Sequence, residues 1–199
     1  MRKIALYFLV LGLVFTGCYP DPTIYTEDLD LVYTNYDDQL NFKAYKTYAM
    51  PDSIVEVVRE ISSPEDLEFL QEPYNTKILT AIADNMAAYG WQRVDDPEQA
   101  DMVLLPAAWT NTTVVYWYDY WCWYYYYGCG WGYYPPYYTT SYTTGTLVMG
   151  LIMNGDEQLE LKKAWGAALN GVLTGNNNID RVTKGVNQAF TQSPYLNLN

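Results

Sequence analysis

Gly145-Thr-Leu-Val-Met-Gly-Leu-Ile-Met153 and Lys162-Lys-Ala-Trp-Gly-Ala-Ala-Leu-Asn-Gly-Val-Leu173 are the two stretches that decide the fold. In the first, Leu147, Met149, Leu151 and Met153 alternate with other residues, the period of two that places side chains on one face of a strand. In the second, Trp165, Ala167 and Leu169 alternate with small residues in the same way. Asn154-Gly155 between them opens a turn. Two strands so joined form an antiparallel hairpin. After it, 175–178 (Gly-Asn-Asn-Asn) reads as a loop, and Ile179, Val182, Val186, Ala189 and Phe190 recur at helical spacing until Pro194 stops the helix.

Upstream of the hairpin the pattern is mixed. Leu29-Asp-Leu-Val-Tyr33 and Thr47-Tyr-Ala49 read as short strands, with Tyr36 to Ala44 as the connecting loop. Ser63-Pro-Glu-Asp66 has the marks of a helix start, Ser as cap and Pro at the first helical position, for a short helix ending near Pro73. Asn75 is expected to cap a longer helix in which Ile78, Leu79, Ile82, Met86 and Tyr89 share a face and Gly90 ends the run. Trp91 to Val94 is a short strand, Asp95 to Gln99 a polar turn, and Met102 to Leu105 opens a strand that continues through Val114 and Val115. The fold class predicted is α+β: a twisted, mainly antiparallel sheet with two main helices packed on one face, plus an aromatic-rich hairpin insertion.

The amino terminus carries a processing signal. Arg2 and Lys3 precede a run, Ile4 to Phe15, that is almost wholly apolar, and Thr16-Gly17-Cys18 follows. A positive region, a short apolar region and small residues describe a secretory signal, and a dozen apolar residues fall short of the ~20 that span a bilayer. Cys directly after Gly makes Leu13 to Cys18 similar to a bacterial lipobox. The expectation is a signal peptide over 1–17, cleavage before Cys18, acylation (palmitate among the chains) on that cysteine, a lipidated tether over 18–26 and a single domain over 27–199. Several acyl chains at about 0.8 kcal/mol per methylene hold firmly. The expected location is the cell envelope, as an outer-membrane lipoprotein facing the periplasm or the cell surface.

The chain is acidic, with 23 Asp and Glu against 11 Lys and Arg, and contains no His. An acidic domain repels phosphate backbones, so nucleic acid is a poor partner. With Cys18 committed to lipid, Cys122 and Cys129 remain as an even pair in an oxidising compartment, for which a disulfide is expected. Two Cys without His leave a zinc ligand set incomplete, so no metal is expected. Asp28, Asp30, Asp37 and Asp38 lack the spacing of a calcium loop and are expected to be solvated acids. No cofactor is expected.

Tyr116 to Tyr138 is the unusual segment, part of an insertion over 116–142: Tyr-Trp-Tyr-Asp-Tyr-Trp-Cys-Trp-Tyr-Tyr-Tyr-Tyr-Gly-Cys-Gly-Trp-Gly-Tyr-Tyr-Pro-Pro-Tyr-Tyr. A two-sided aromatic run cannot bury every ring in one core. The candidate binding aromatics are Trp117, Tyr120, Trp121, Trp123, Tyr125, Trp131 and Tyr134. Three readings are open on these residues: a contact surface for a protein or a glycan, an element at the membrane interface, and a low-complexity insertion with no ligand.

The order of these features resembles a bacterial lipoprotein family known by domain of unknown function 4136. The pieces are Tyr33-Thr-Asn-Tyr-Asp37 followed by Phe42-Lys-Ala-Tyr-Lys-Thr-Tyr48, then Ala88-Tyr-Gly-Trp91, Ala100-Asp-Met-Val103, Gly145-Thr-Leu147, Trp165-Gly166, and Ala189-Phe190 with Pro194 after it. The resemblance implies a small α/β sandwich and no assigned activity, so no catalytic residue carries over. A Tyr- or Gly-rich stretch at this place is common in the family, though rarely so dense.

The lack of His removes Ser-His and Cys-His nucleophile pairs and His-metal sites. No Gly-x-Ser-x-Gly elbow or phosphate-cradling loop is present. Asp119, the one acid among the aromatics, has no evident partner acid of the kind a glycosidase needs. The sequence therefore points to a non-catalytic, membrane-anchored envelope lipoprotein that uses its Tyr/Trp-rich loop for binding or assembly. A glycan-binding lipoprotein is the first alternative and a carboxylate-based hydrolase the second.

Overall fold

A computed structural model describes residues 30–57, 67–109, 145–153, 163–174 and 179–199. Among the described residues eight strands and two α-helices follow in the order β1 (Leu31–Tyr36), β2 (Thr47–Ala49), β3 (Val55–Val57), β4 (Glu68–Phe69), α1 (Tyr74–Ala88), β5 (Gln92–Arg93), β6 (Met102–Trp109), β7 (Thr146–Met153), β8 (Lys163–Asn170) and α2 (Ile179–Thr191). The strands form one mixed sheet in the order β1-β8-β7-β6-β2-β5. The expected hairpin is β7–β8, in register from Leu147↔Leu169 to Leu151↔Trp165, with a bulge before Ile152↔Lys163. β1 adds antiparallel to β8, and β6 antiparallel to β7. The α+β class and the two helices on one face hold.

The parallel pairings come from one shared edge. β2 lies beside the first part of β6 (Tyr48↔Met102, Ala49↔Val103), and β3 beside its last part (Val55↔Ala107 to Val57↔Trp109). Both run parallel to β6. The stretch Leu104 to Pro106 pairs with neither, and it is there that a proline, which has no N–H to give to a ladder, is found in a central strand.

The alternation along β6 explains its composition. Met102, Leu104 and Ala108 join Leu147, Met149, Leu151, Trp165, Ala167, Leu169 and Val32 in the main core, under Ile78, Ile82 and Met86 of α1 and Val182, Val186, Ala189 and Phe190 of α2. Val103, Leu105, Ala107 and Trp109 point the other way, into a second buried cluster with Val55, Val57, Val148 and Ile152. Among the described residues Leu67, Phe69 and Ala168 pack against that cluster. A strand buried on both faces reads as a continuous apolar run rather than an alternation, which is what Met102 to Trp109 is. Each fully buried large aliphatic or aromatic side chain contributes about 1.5–3 kcal/mol.

The two helices also touch each other. Tyr89, capping α1, donates its hydroxyl to the Phe190 carbonyl at 2.7 Å and meets the Phe190 ring edge-on at 5.8 Å. Asn85 Nδ2 donates to Asn187 Oδ1 at 2.7 Å. Gly185 lets α2 lie close on the sheet: a Cβ there would sit 2.9 Å from Leu169 Cδ2.

Several expectations are corrected. The helix expected from Ser63 to Pro73 begins outside the described residues, and in its described part Glu68–Phe69 is a strand paired with β3. Phe69 packs on the second cluster there, and the Leu70 N–H donates to the Ile54 carbonyl at 2.9 Å, so tertiary burial overrides the local helix signal. β3 itself was not expected, although Val55-Glu-Val57 has the β-branched alternation of a strand. β1 starts two residues later than expected and ends three later, at Tyr36, which was expected to open the loop. Asn75 is not the cap of α1: Pro73 holds that position, and Asn75 is buried in the first turn. Its Oδ1 accepts from the Ile54 N–H at 2.8 Å and its Nδ2 donates to the Asp52 carbonyl at 3.2 Å. The loop between β2 and β3 thus takes the side chain that was expected to serve the helix. The described part of β6 ends at Trp109, and the expected continuation through Val114 and Val115 lies outside the described residues, as does the loop at 175–178.

Candidate functional site

The insertion over 116–142 lies in the part of the chain that leaves the described sheet at Trp109 and re-enters it at Gly145. Trp109 and Thr146 are register partners on β6 and β7. The Gly145 N–H donates to the Trp109 carbonyl at 2.7 Å, and the Gly145 carbonyl accepts from the Leu173 N–H at 2.9 Å. Gly145 has φ +81, and a Cβ there would lie 2.3 Å from Thr174 Cγ2 and 2.8 Å from the Thr174 backbone nitrogen. Only glycine fits this position. Thr146 is fully buried, and its hydroxyl donates to Asn170 Oδ1 at 3.2 Å. The two ends of the insertion are therefore held together at one end of the sheet.

The register brings other segments to the same end. Val57 pairs with Trp109, and Leu31 with Asn170. The row Leu31, Asn170, Thr146, Trp109, Val57 runs across five strands. The chain thus enters the sheet, at Asp30, at the end from which the insertion leaves.

That point is clamped. Arg181 of α2 forks onto the Asp30 carboxylate, Nε to Oδ2 at 2.6 Å and Nη2 to Oδ1. Two further donors reach the carbonyls of Gly171 at 3.0 Å and Thr174 at 3.1 Å. The side chains are 9% and 14% exposed. Bidentate guanidinium–carboxylate geometry fixes direction as well as distance. Asp30 is therefore not the solvated acid expected from sequence. Asp37 is engaged too, its Oδ1 accepting from the Gln39 N–H at 3.0 Å. Arg181 was not singled out in the sequence, and with its partner 151 positions away no local signal marks it.

The residues that carried the family resemblance hold the fold together. The Asp101 carboxylate accepts from the N–H groups of Lys46 and Thr47, both at 2.8 Å, and from the Thr47 hydroxyl at 2.9 Å. The Thr47 hydroxyl oxygen in turn accepts from the Asp101 N–H. Partial burial pushes the Asp101 pKa up, but these hydrogen bonds and the Lys46 charge outweigh it and hold the carboxyl below its ordinary value. The starts of β2 and β6 are thereby pinned side by side. Trp91 Nε1 donates to the Leu196 carbonyl at 2.9 Å, and Trp165 Nε1 to Ser193 Oγ at 2.8 Å. Both indoles tie the carboxyl-terminal turn to the core. Tyr36 stacks on Tyr195 at 3.7 Å.

The sequence-derived candidates Trp117, Tyr120, Trp121, Trp123, Tyr125, Trp131 and Tyr134, with Asp119, Cys122 and Cys129, lie outside the described residues, as do Cys18 and the tether. Among the described residues no helix is long and apolar enough to cross a membrane.

Comparison with known proteins gives a consistent relationship. The model of the family described as domain of unknown function (DUF4136) matches residues 32–195. A crystal structure of a DUF4136 family protein from Bacteroides thetaiotaomicron shares 34% identity, with 85% of this chain and 98% of that one covered and a TM-score of 0.64. More distant are PelC from Paraburkholderia phytofirmans, a dodecamer, at 13% identity over 86% of this chain and 100% of that one with a TM-score of 0.43, and a PDZ domain protein from Parabacteroides distasonis at 14% over 83% and 36% with a TM-score of 0.40. No curated protein matches the chain.

Proposed function

For a chain that belongs to the DUF4136 family, whose function is unknown, we propose the role of a membrane-anchored envelope lipoprotein: a non-catalytic module that binds a protein partner through its Tyr/Trp-rich loop. The observation that carries the reading is the rooting of that loop. A segment rich in Tyr and Trp, side chains that give large contact area and a polar tip, is inserted where Trp109 and Gly145 are locked together between two central strands. The motif residues Asp101, Trp91 and Trp165 are engaged in holding the fold.

The reading is tested by photo-crosslinking in intact source cells, with the probe at Tyr125 and the adducts identified by mass spectrometry. One discrete protein adduct, lost when Tyr116 to Tyr138 is replaced by a Gly/Ser linker, is expected. Carbohydrate-bearing adducts would replace this reading with glycan binding. Adducts to lipid alone, or none, would overturn it.

A further inference from the structure

The dozen residues from Cys18 to Leu29 limit how far the domain can stand from the anchored cysteine. Fully extended they reach about 40 Å. They join the sheet at Asp30, and the Arg181 fork makes that junction a fixed point rather than a swivel.

Beside this junction lies an apolar strip that is exposed among the described residues. Leu31 is 62% exposed and Tyr33 59%, the two most exposed large apolar side chains among the described residues. Val32 between them is buried in the main core, so Leu31 and Tyr33 share the face of β1 away from the helices. Their register partners on β8, Asn170 and Ala168, are uncharged, and Asp30, the described carboxylate that precedes the strip, is paired with Arg181.

We propose that this sheet end lies against the bilayer that holds the anchor, with Leu31 and Tyr33 at headgroup level. The proposal rests on the anchored-lipoprotein reading above. Tyrosine favours the interface because its ring is apolar and its hydroxyl wet. The acidic chain, at net −12, disfavours an anionic surface, so the bilayer contacted is one of zwitterionic lipid. The far end of β1, at Tyr36 just before Asp38, then stands about 16 Å further out than Leu31, five steps at the rise of a strand.

The test uses the full chain purified from a lipoprotein-processing host. Its intact mass is read first, and it is then reconstituted into vesicles of phosphatidylcholine and phosphatidylethanolamine. A fluorescent amino acid replaces Tyr33 in one preparation and the exposed Asp38 in another, and the vesicles carry a headgroup nitroxide quencher. Quenching several-fold stronger at position 33 than at 38 is the expected result. An acylated chain with equal quenching at both positions, or stronger quenching at 38, overturns the orientation and leaves the anchor standing. A mass without acyl chains overturns the anchor and this orientation with it.

Discussion

Asp30 and Arg181, 151 positions apart, meet through a two-toothed contact between the first described residue of the domain and its last helix. Two further donors of the guanidinium reach Gly171 and Thr174; removing it leaves the Asp30 carboxylate without its cation, while the Gly171 carbonyl keeps the Thr174 N–H and hydroxyl. Arg181→Met is expected to lower unfolding free energy by about 3 kcal/mol, in the range for breaking a buried pair from one side. Asp30→Asn in the same background should recover part of the loss, because it removes the unpaired charge. Urea denaturation of the two single variants and the double variant measures this, and strictly additive losses would show that the pair is not coupled.

Asp101 predicts an acid response. Its folded pKa lies below the ordinary carboxylate value of 3.8, so the ionised form is favoured by folding. Its contribution is fully present above that value and is lost as pH falls through the lower, folded one. Asp101→Asn keeps the shape and removes the charge. The wild type should be the more stable at pH 7, by about 1 kcal/mol for hydrogen bonds on an exposed carboxylate. The difference between the two should shrink below pH 4. A difference that stays constant down to pH 2 would contradict the assignment.

Gly145→Ala places a methyl group 2.3 Å from Thr174 Cγ2 at a backbone of φ +81. The left-handed conformation alone costs about 1–2 kcal/mol, and the collision adds to it. Thr174→Ser in the same chain should return only part of the loss, since the Thr174 backbone nitrogen is 2.8 Å from the same point. Thermal unfolding of the wild type and the two variants tests the order.

Trp91→Phe leaves the Leu196 carbonyl without its buried donor. The expected cost is about 1–3 kcal/mol. Hydrogen exchange should locate the effect, with faster exchange at the Leu196 and Leu198 amides of the carboxyl-terminal turn and little change at Leu151 on the central hairpin.

What was legible in the sequence was what depends on local period. Leu147 to Met153 and Trp165 to Leu169 announced a hairpin, and Val182, Val186, Ala189 and Phe190 announced a helix, because alternation and 3.6-residue spacing are imposed by the backbone itself. Tertiary structure alone decided which strands share an edge. β2 and β3 divide the flank of β6 between them, so Val55-Glu-Val57 became a strand and Glu68-Phe69 joined it where a helix had been expected. Asn75 was read as a cap because Asn accepts from nearby N–H groups; a more distant one, on Ile54, claimed it. The same holds for the site: the aromatic insertion stands out in composition, but its rooting at Trp109 and Gly145, beside the point where the tether joins at Asp30, follows from register. Hydrogen bonds and burial between residues fifty to a hundred and fifty positions apart leave no periodic trace in the chain that makes them.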